Sequence, residues 1–230
     1  MYGKAHQYLK PPYRTARKIK KINFRLYAIT DRHQCAPTPL VDVVSELLDV
    51  GVNAIQLREK DLSDTALIQL AQPIAALCHD YEAKLFINTN TRVARDVGAA
   101  GVHLPANAEP VGSVKETETD DNFYIGCSVH HLDAAKKREA EGADFLTYSP
   151  IYPTASKPGY GPAVGTASLA AVVEGVKVPV FALGGITPAR VPECLTAGAF
   201  GVAVMSGVMA PKDAGIQAKH YLDFLTSASD

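Results

Sequence analysis

VPVFALGGITPARVPECLTAGAFGVAVMSG, residues 178–207, reads as one complete strand–turn–helix–strand unit. Val178–Leu183 is a short apolar run of strand length. Gly184-Gly185 makes a turn, and Thr187-Pro188 carries the signature of a helix start, a hydroxyl at the N-cap followed by proline at the first helical position. Pro188–Ala197 is the expected helix. Gly198 caps it, and Phe200–Met205 is the next apolar strand. Both strands are apolar on both faces. That is the pattern of parallel strands covered by helices rather than of an antiparallel sheet with one wet side.

Worked outward, the same unit recurs along the chain. Leu26–Thr30, Asn53–Arg58, Lys84–Asn88, Gly101–Leu104, Phe123–Ser128 and Asp144–Ser149 are the six earlier strands. Helices are expected around Pro39–Val50, Asp64–Tyr81, Thr91–Val97, Leu132–Glu141 and Thr166–Glu174, with a polar helix within Ala106–Asp121 and a closing one over Ala214–Leu225. Gly51, Gly98, Gly142 and Gly198 each end a helix just before a strand, a weak internal repeat. Eight alternations predict an α/β chain folded as one (β/α)8 barrel over residues 25–230, preceded by a basic extension over residues 1–24. The rival, an open doubly wound sheet, normally has fewer strands and a glycine-rich turn after the first, which LYAITDR lacks.

Bulk properties narrow the class. At 230 residues and 47% hydrophobic content the chain can fill one barrel core. A net charge of −1 gives no global attraction to nucleic acid or to a membrane surface. No apolar run approaches the roughly 20 residues that span a bilayer. Cys35, Cys78, Cys127 and Cys194 are scattered without a C-x-x-C pair, so they read as reduced thiols of a cytoplasmic protein rather than a disulfide or zinc framework. From Met1 to Thr30 there is no acidic residue, while Lys4, Lys10, Arg14, Arg17, Lys18, Lys20 and Lys21 are basic. The segment lacks the apolar stretch of a secretory signal and the serines of a transit peptide. It reads as a tail, or alternatively as a binder of an anionic partner.

In a barrel of this kind the C-terminal strand ends and the loops after them build the active site, and the polar residues fall there. Gln56, Arg58 and Lys60 share one face after the second strand. Arg58 and Glu59 could pair, although alternation sends them to opposite faces. Asn88 follows the third strand, and Ser128 and His130 follow the fifth. Thr154, Ser156 and Lys157 lie in the long loop IYPTASKPGYG, whose length suits a cover over a ligand. Gly184 and Gly185 after the seventh strand, and Met205, Ser206 and Gly207 after the eighth, offer backbone N–H groups and a helix N-terminus to an anion. A small phosphorylated ligand is therefore expected at strands seven and eight. His130, an imidazole beside a strand end, is the best acid–base candidate. His131 reads as the start of the next helix, and His103 as weaker, equally suited to packing at the rim.

LYAITDR, QLREK, LFIN, GVHL, SVH, SPIYPT-x-SK, GGITP and GVAVMSG, in this order, resemble the thiamine-phosphate synthase family and its TenI-type relatives, from about Arg25 to the C-terminus. The resemblance implies a TIM barrel and a thiazole phosphate ligand held by Thr154, Ser156, Gly185, Met205 and Ser206. Gln56, Arg58, Lys60, Asn88, Ser128 and Lys157 match synthase positions that hold a pyrimidine pyrophosphate, and His130 matches the tautomerase's acid–base histidine. The synthase pattern has an Asp after the strand-three Asn, where this chain has Thr89, and a G-Q-E-D run after the fourth strand, where it has Pro105-Ala106-Asn107-Ala108. Both Asp residues are magnesium ligands in that pattern. The expectation is accordingly a metal-independent thiazole tautomerase, with His130 as its base and no cofactor. The alternatives are a magnesium-dependent thiamine-phosphate synthase, and a non-catalytic sensor of thiazole or thiamine phosphate. The sequence leaves the oligomeric state open, a homo-oligomer included.

Overall fold

The computed structural model describes residues 20–118, 120–154, 162–210 and 212–227. Eight parallel strands close on themselves in sequence order, so the chain is a single (β/α)8 TIM barrel. They are β1 Leu26–Ile29, β2 Ala54–Leu57, β3 Lys84–Asn88, β4 Gly101–Leu104, β5 Tyr124–Val129, β6 Phe145–Tyr148, β7 Val180–Leu183 and β8 Gly201–Val204. β1 pairs with both β2 and β8, for example Ala28 with Ile55 and Ala28 with Val204, which closes the ring.

Alternation along the strands separates two cores. Tyr27, Ile29, Ala54, Phe86, Phe145, Phe181 and Ala203 point inward and pack with Ile22 and Phe24, so the core reaches at least to Ile22. The Phe24 ring stacks on Phe181 at 5.2 Å between centroids and meets Phe145 edge-on at 5.5 Å, stopping the lower end of the barrel with rings. The neighbouring positions Leu26, Ala28, Ile55, Leu57, Leu85, Ile87, Leu146, Ala182 and Val202 point outward under the helices.

The helices follow the sequence pattern closely. Leu40–Asp49, Asp64–Asp80, Thr91–Asp96, Leu132–Glu141 and Ala214–Ser227 lie within two residues of expectation. Ser63 and Asn90 cap their helices through side-chain oxygens, and His131 does so through its ring nitrogen, accepting from the Ala134 N–H. Gly51, Gly98, Gly142 and Gly198 all adopt positive φ between helix and strand. The polar stretch after β4 forms a helix only over Val111–Thr117. The helix expected from Pro188 starts as a 3-10 turn, Pro188–Arg190, before Val191–Thr196. Thr187 stands at the N-cap, yet its hydroxyl makes no capping hydrogen bond, which corrects the sequence reading. The one-turn helix Arg32–Cys35 after β1 was not foreseen, and the helix start expected at Ser206 is a single turn, Ser206–Met209. Four residues are too few to show a periodicity. All four cysteines are buried free thiols, and burial pushes Cys78 and Cys127 up to about 12.

Candidate active site

A cavity of about 1090 Å³ opens at the C-terminal ends of the strands. Gln56, Arg58, Lys60, Asn88, Ser128, His130, Thr154, Gly184, Gly185, Met205, Ser206 and Gly207 all line it. Ser156 and Lys157 lie outside the described residues. His103, Thr187, Arg190 and Tyr221, which the sequence reading either discounted or did not single out as ligand contacts, line it as well.

The β7–β8 side is built from two glycine turns. The loop leaving β6 runs beside the turn leaving β7, with the Ile151 N–H donating to the Leu183 carbonyl at 2.9 Å and the Tyr152 N–H to the Gly184 carbonyl at 3.0 Å. Contact is close enough to demand glycine: Gly185 has φ +64°, and a Cβ there would sit 2.6 Å from the Pro153 carbonyl oxygen. Thr154 is thereby delivered to the rim beside Gly184 and Gly185. Tyr221, from the closing helix, donates to the Ile186 carbonyl at 2.9 Å, and Gly207 leaves the space its hydroxyl occupies. One buried phenol thus ties both glycine turns together. The Ser206 hydroxyl is buried and has no hydrogen-bond partner among the described residues.

The β2 side is held from outside the barrel. Glu59 is buried and accepts from the Thr30 hydroxyl at 2.6 Å, from the Arg32 backbone N–H and from the Arg32 guanidinium at 3.1 Å. Its partner is therefore Arg32, not Arg58. Thr30 in turn accepts from the Arg58 N–H at 2.9 Å. The clamp turns Glu59 away from the cavity while Arg58 and Lys60, one position to either side, line it. Arg32 also forks onto Asp61, whose carboxyl is held far below the usual range by the Arg32 hydrogen bonds.

Beneath the cavity lies a buried polar chain. Gln56 donates to the Tyr27 hydroxyl at 3.1 Å, Tyr27 lies 3.4 Å from His103 Nδ1, and His103 Nε2 lies 3.0 Å from the Ser128 hydroxyl. Thr147 donates to Ser128 at 3.3 Å. A neutral imidazole that accepts from Tyr27 and donates to Ser128 satisfies every step. Burial, and secondarily the Arg58 charge, lowers His103 to about 3. Gly126 makes room for this ring, since a Cβ there would fall 2.7 Å from His103 Nδ1 and 2.3 Å from Phe145. The rim-packing reading of His103 is corrected: it is an interior hydrogen-bonding group, neutral at physiological pH.

His130 differs. Its Nδ1 lies 2.8 Å from the Ser149 carbonyl oxygen. A carbonyl can only accept, so Nδ1 carries the proton and Nε2 is the basic nitrogen.

The described lining contains no Asp or Glu, although Arg58, Lys60 and Arg190 are there. Among the described residues no three His, Cys, Asp or Glu side chains come together as a metal site. Magnesium is held through carboxylates together with substrate phosphates, and this donor set does not fit it. No helix of the described residues is long and apolar enough to cross a membrane.

Fold and mouth together define a TIM barrel whose ligand cavity sits at the strand C-termini, with glycine turns after β7 and β8. Residues 26–208 match the family described as Thiamine monophosphate synthase. A Geobacter sulfurreducens protein named "Putative thiamine-phosphate synthase" is 43% identical over 90% of this chain and 97% of its own length. The Methanospirillum hungatei "Thiamine-phosphate synthase" is 34% identical over 87% and 97%. Among solved structures, the thiamine phosphate pyrophosphorylase from Pyrococcus furiosus superposes with a TM-score of 0.81 at 32% identity, covering 90% of this chain and 98% of that one. The chain belongs to the thiamine-phosphate synthase/TenI family, a family of thiamine-biosynthetic enzymes.

Proposed function

We propose that this chain is a thiazole tautomerase acting on a dihydrothiazole carboxylate phosphate. The observation that carries the reading is His130, held in its Nε2-basic tautomer by the Ser149 carbonyl, in a cavity whose described walls have no carboxylate. His130 Nε2 removes the proton from the ring carbon beside the carboxylate. The released pair forms a carbon–nitrogen double bond, the ring bonds shift, and the exocyclic alkene carbon takes a proton back from the imidazolium. Protons and electrons balance within the substrate and one base, and no metal is required. The phosphate, at Gly184, Gly185 and Ser206, anchors the substrate remotely so that binding energy orients the reacting carbons. His103 is no competitor as base, because its nitrogens are engaged below the cavity and it stays neutral.

The names of the relatives favour a second reading, thiamine-phosphate synthase, in which Gln56, Arg58, Lys60, Asn88, Ser128 and Lys157 would hold a pyrimidine pyrophosphate. That reaction expels pyrophosphate with the help of magnesium, and Thr89 with Pro105–Ala108 supplies no carboxylate for the ion. The two readings part in one NMR experiment. Conversion of the dihydrothiazole carboxylate phosphate to its aromatic isomer in EDTA, lost in His130→Asn, is the expected result. No conversion in EDTA, with thiamine phosphate formed from pyrimidine pyrophosphate and thiazole phosphate on adding magnesium, would replace it with the synthase. Inactivity in both assays with retained ligand binding would leave a sensor.

A further inference from the structure

Arg190 has no role in either reaction as read above, yet it lines the cavity. It follows the β7 glycine turn by five residues, at the end of the 3-10 turn Pro188–Arg190. Its guanidinium lies 4.3 Å over the Tyr152 ring and donates from one nitrogen to the Gly185 carbonyl at 2.6 Å. Tyr152 is itself anchored on Glu193 at 2.5 Å, which fixes the surface on which the guanidinium rests. One donor of five is therefore used on the glycine turn. No carboxylate lies within ion-pairing distance of Arg190 among the described residues, and the described cavity wall carries none. A half-buried guanidinium, stacked and hydrogen-bonded into one orientation with no carboxylate in ion-pairing distance among the described residues, is preorganised for an anion. On the same side of the mouth, the Ser206 hydroxyl is a buried donor with no partner among the described residues.

We propose that Arg190 is an anion-binding residue that makes the β7–β8 subsite selective for a phosphorylated ligand over the corresponding alcohol. The inference rests on the reading of that subsite as the thiazole phosphate anchor. It adds a side-chain cation to an anchor otherwise made of backbone N–H groups and hydroxyls. In this arrangement the Gly185 carbonyl and the Tyr152 ring are positioning partners, and the remaining guanidinium N–H groups meet the phosphate oxygens.

The test is calorimetric titration of the full chain and of Arg190→Met and Arg190→Lys with three probes: hydroxyethylthiazole phosphate, the unphosphorylated hydroxyethylthiazole, and inorganic phosphate. Arg190→Met is expected to weaken the thiazole phosphate and inorganic phosphate at least tenfold while changing the alcohol less than twofold. Arg190→Lys should recover part of that loss, and the affinity it recovers should fall as salt is raised. Equal weakening of phosphate and alcohol would reduce Arg190 to a structural clamp on Gly185 and overturn the proposal, as would unchanged phosphate binding in Arg190→Met. Should the unmodified chain bind inorganic phosphate but not thiazole phosphate, the substrate reading falls. Arg190 is then judged by inorganic phosphate alone, with a tenfold loss in Arg190→Met upholding it and no loss overturning it.

Discussion

The two sides of the barrel mouth make an instructive contrast. On the β7–β8 side, two glycine turns are held in place by Tyr221 from the last helix, by the loop after β6 and by Arg190, all pointing donors at one region. On the β3–β4 side, Asn88, Thr89 and Pro105–Ala108 offer amides, a hydroxyl and methyl groups where the synthase pattern has carboxylates. Under the proposed function, one scaffold keeps an anion anchor while its described lining lacks the carboxylates that would hold a divalent cation opposite it. Under that proposal, family membership and reaction are carried by different walls of the same cavity.

The sharpest way to break that contrast is at His130. His130→Asn should lower kcat for thiazole isomerisation by about 10²–10⁴, with little change in the affinity for thiazole phosphate, as single-turnover NMR and titration would show. An unchanged rate would move the chemistry away from His130. Next in size is Gly185→Ala. A Cβ at φ +64° and 2.6 Å from the Pro153 carbonyl forces the β6 and β7 loops apart. We expect about 2–3 kcal/mol less stability by chemical denaturation and a large loss of phosphate affinity, with the β2 side intact.

The outer clamp gives a smaller effect. Glu59→Gln removes the charge that Arg32 and Thr30 bind. With Arg32 about a quarter exposed, the cost should be about 1–2 kcal/mol. Because the clamp positions Arg58 and Lys60 rather than touching the ligand, KM should rise more than kcat falls.

The buried His103 supplies a pH test. Its folded value is lowered to about 3 from an ordinary 6.5, so the unfolded chain binds more protons between those limits. The stabilisation is fully present above pH 6.5 and is lost as pH falls toward 3, with a slope of at most about 1.4 kcal/mol per pH unit. His103→Gln should flatten this limb of a denaturation series. An unaltered limb would show that other groups govern acid unfolding.

Much of this was legible beforehand because its signals are local. A glycine at positive φ, a proline at a helix start and an apolar run of strand length each act within a few residues, so the barrel and the glycine turns could be read directly. The remainder depends on contacts distant in sequence. Tyr221 meets Ile186 across 35 residues, Arg32 reaches Glu59 across 27, and His103 is drawn inside by Tyr27, 76 residues away. No periodicity announces such pairs. Arg190 did leave a trace: a basic residue directly before Val191–Thr196 stands at the positive end of a helix dipole, where an acid is favoured. Such a local conflict is where function is to be sought.

The smallest effect lies on the β3–β4 side itself. Thr89 adopts φ +68°, a left-handed conformation that a β-branched side chain tolerates poorly. Its N–H donates to the His103 carbonyl at 2.9 Å, and its hydroxyl accepts from the Asn88 side chain. The backbone is thereby kept in this conformation despite the side chain it carries. Asparagine visits that region at lower cost, so Thr89→Asn should raise stability by about 0.5–1 kcal/mol by denaturant titration. It loses the hydroxyl that Asn88 uses, and its own amide oxygen can take over the bond. A gain in stability without loss of isomerisation would mean that Thr89 serves no catalytic purpose and that the left-handed turn persists apart from the residue it displays. A gain accompanied by a slower reaction would mean that the hydroxyl, through Asn88, still orders the reacting side of the mouth.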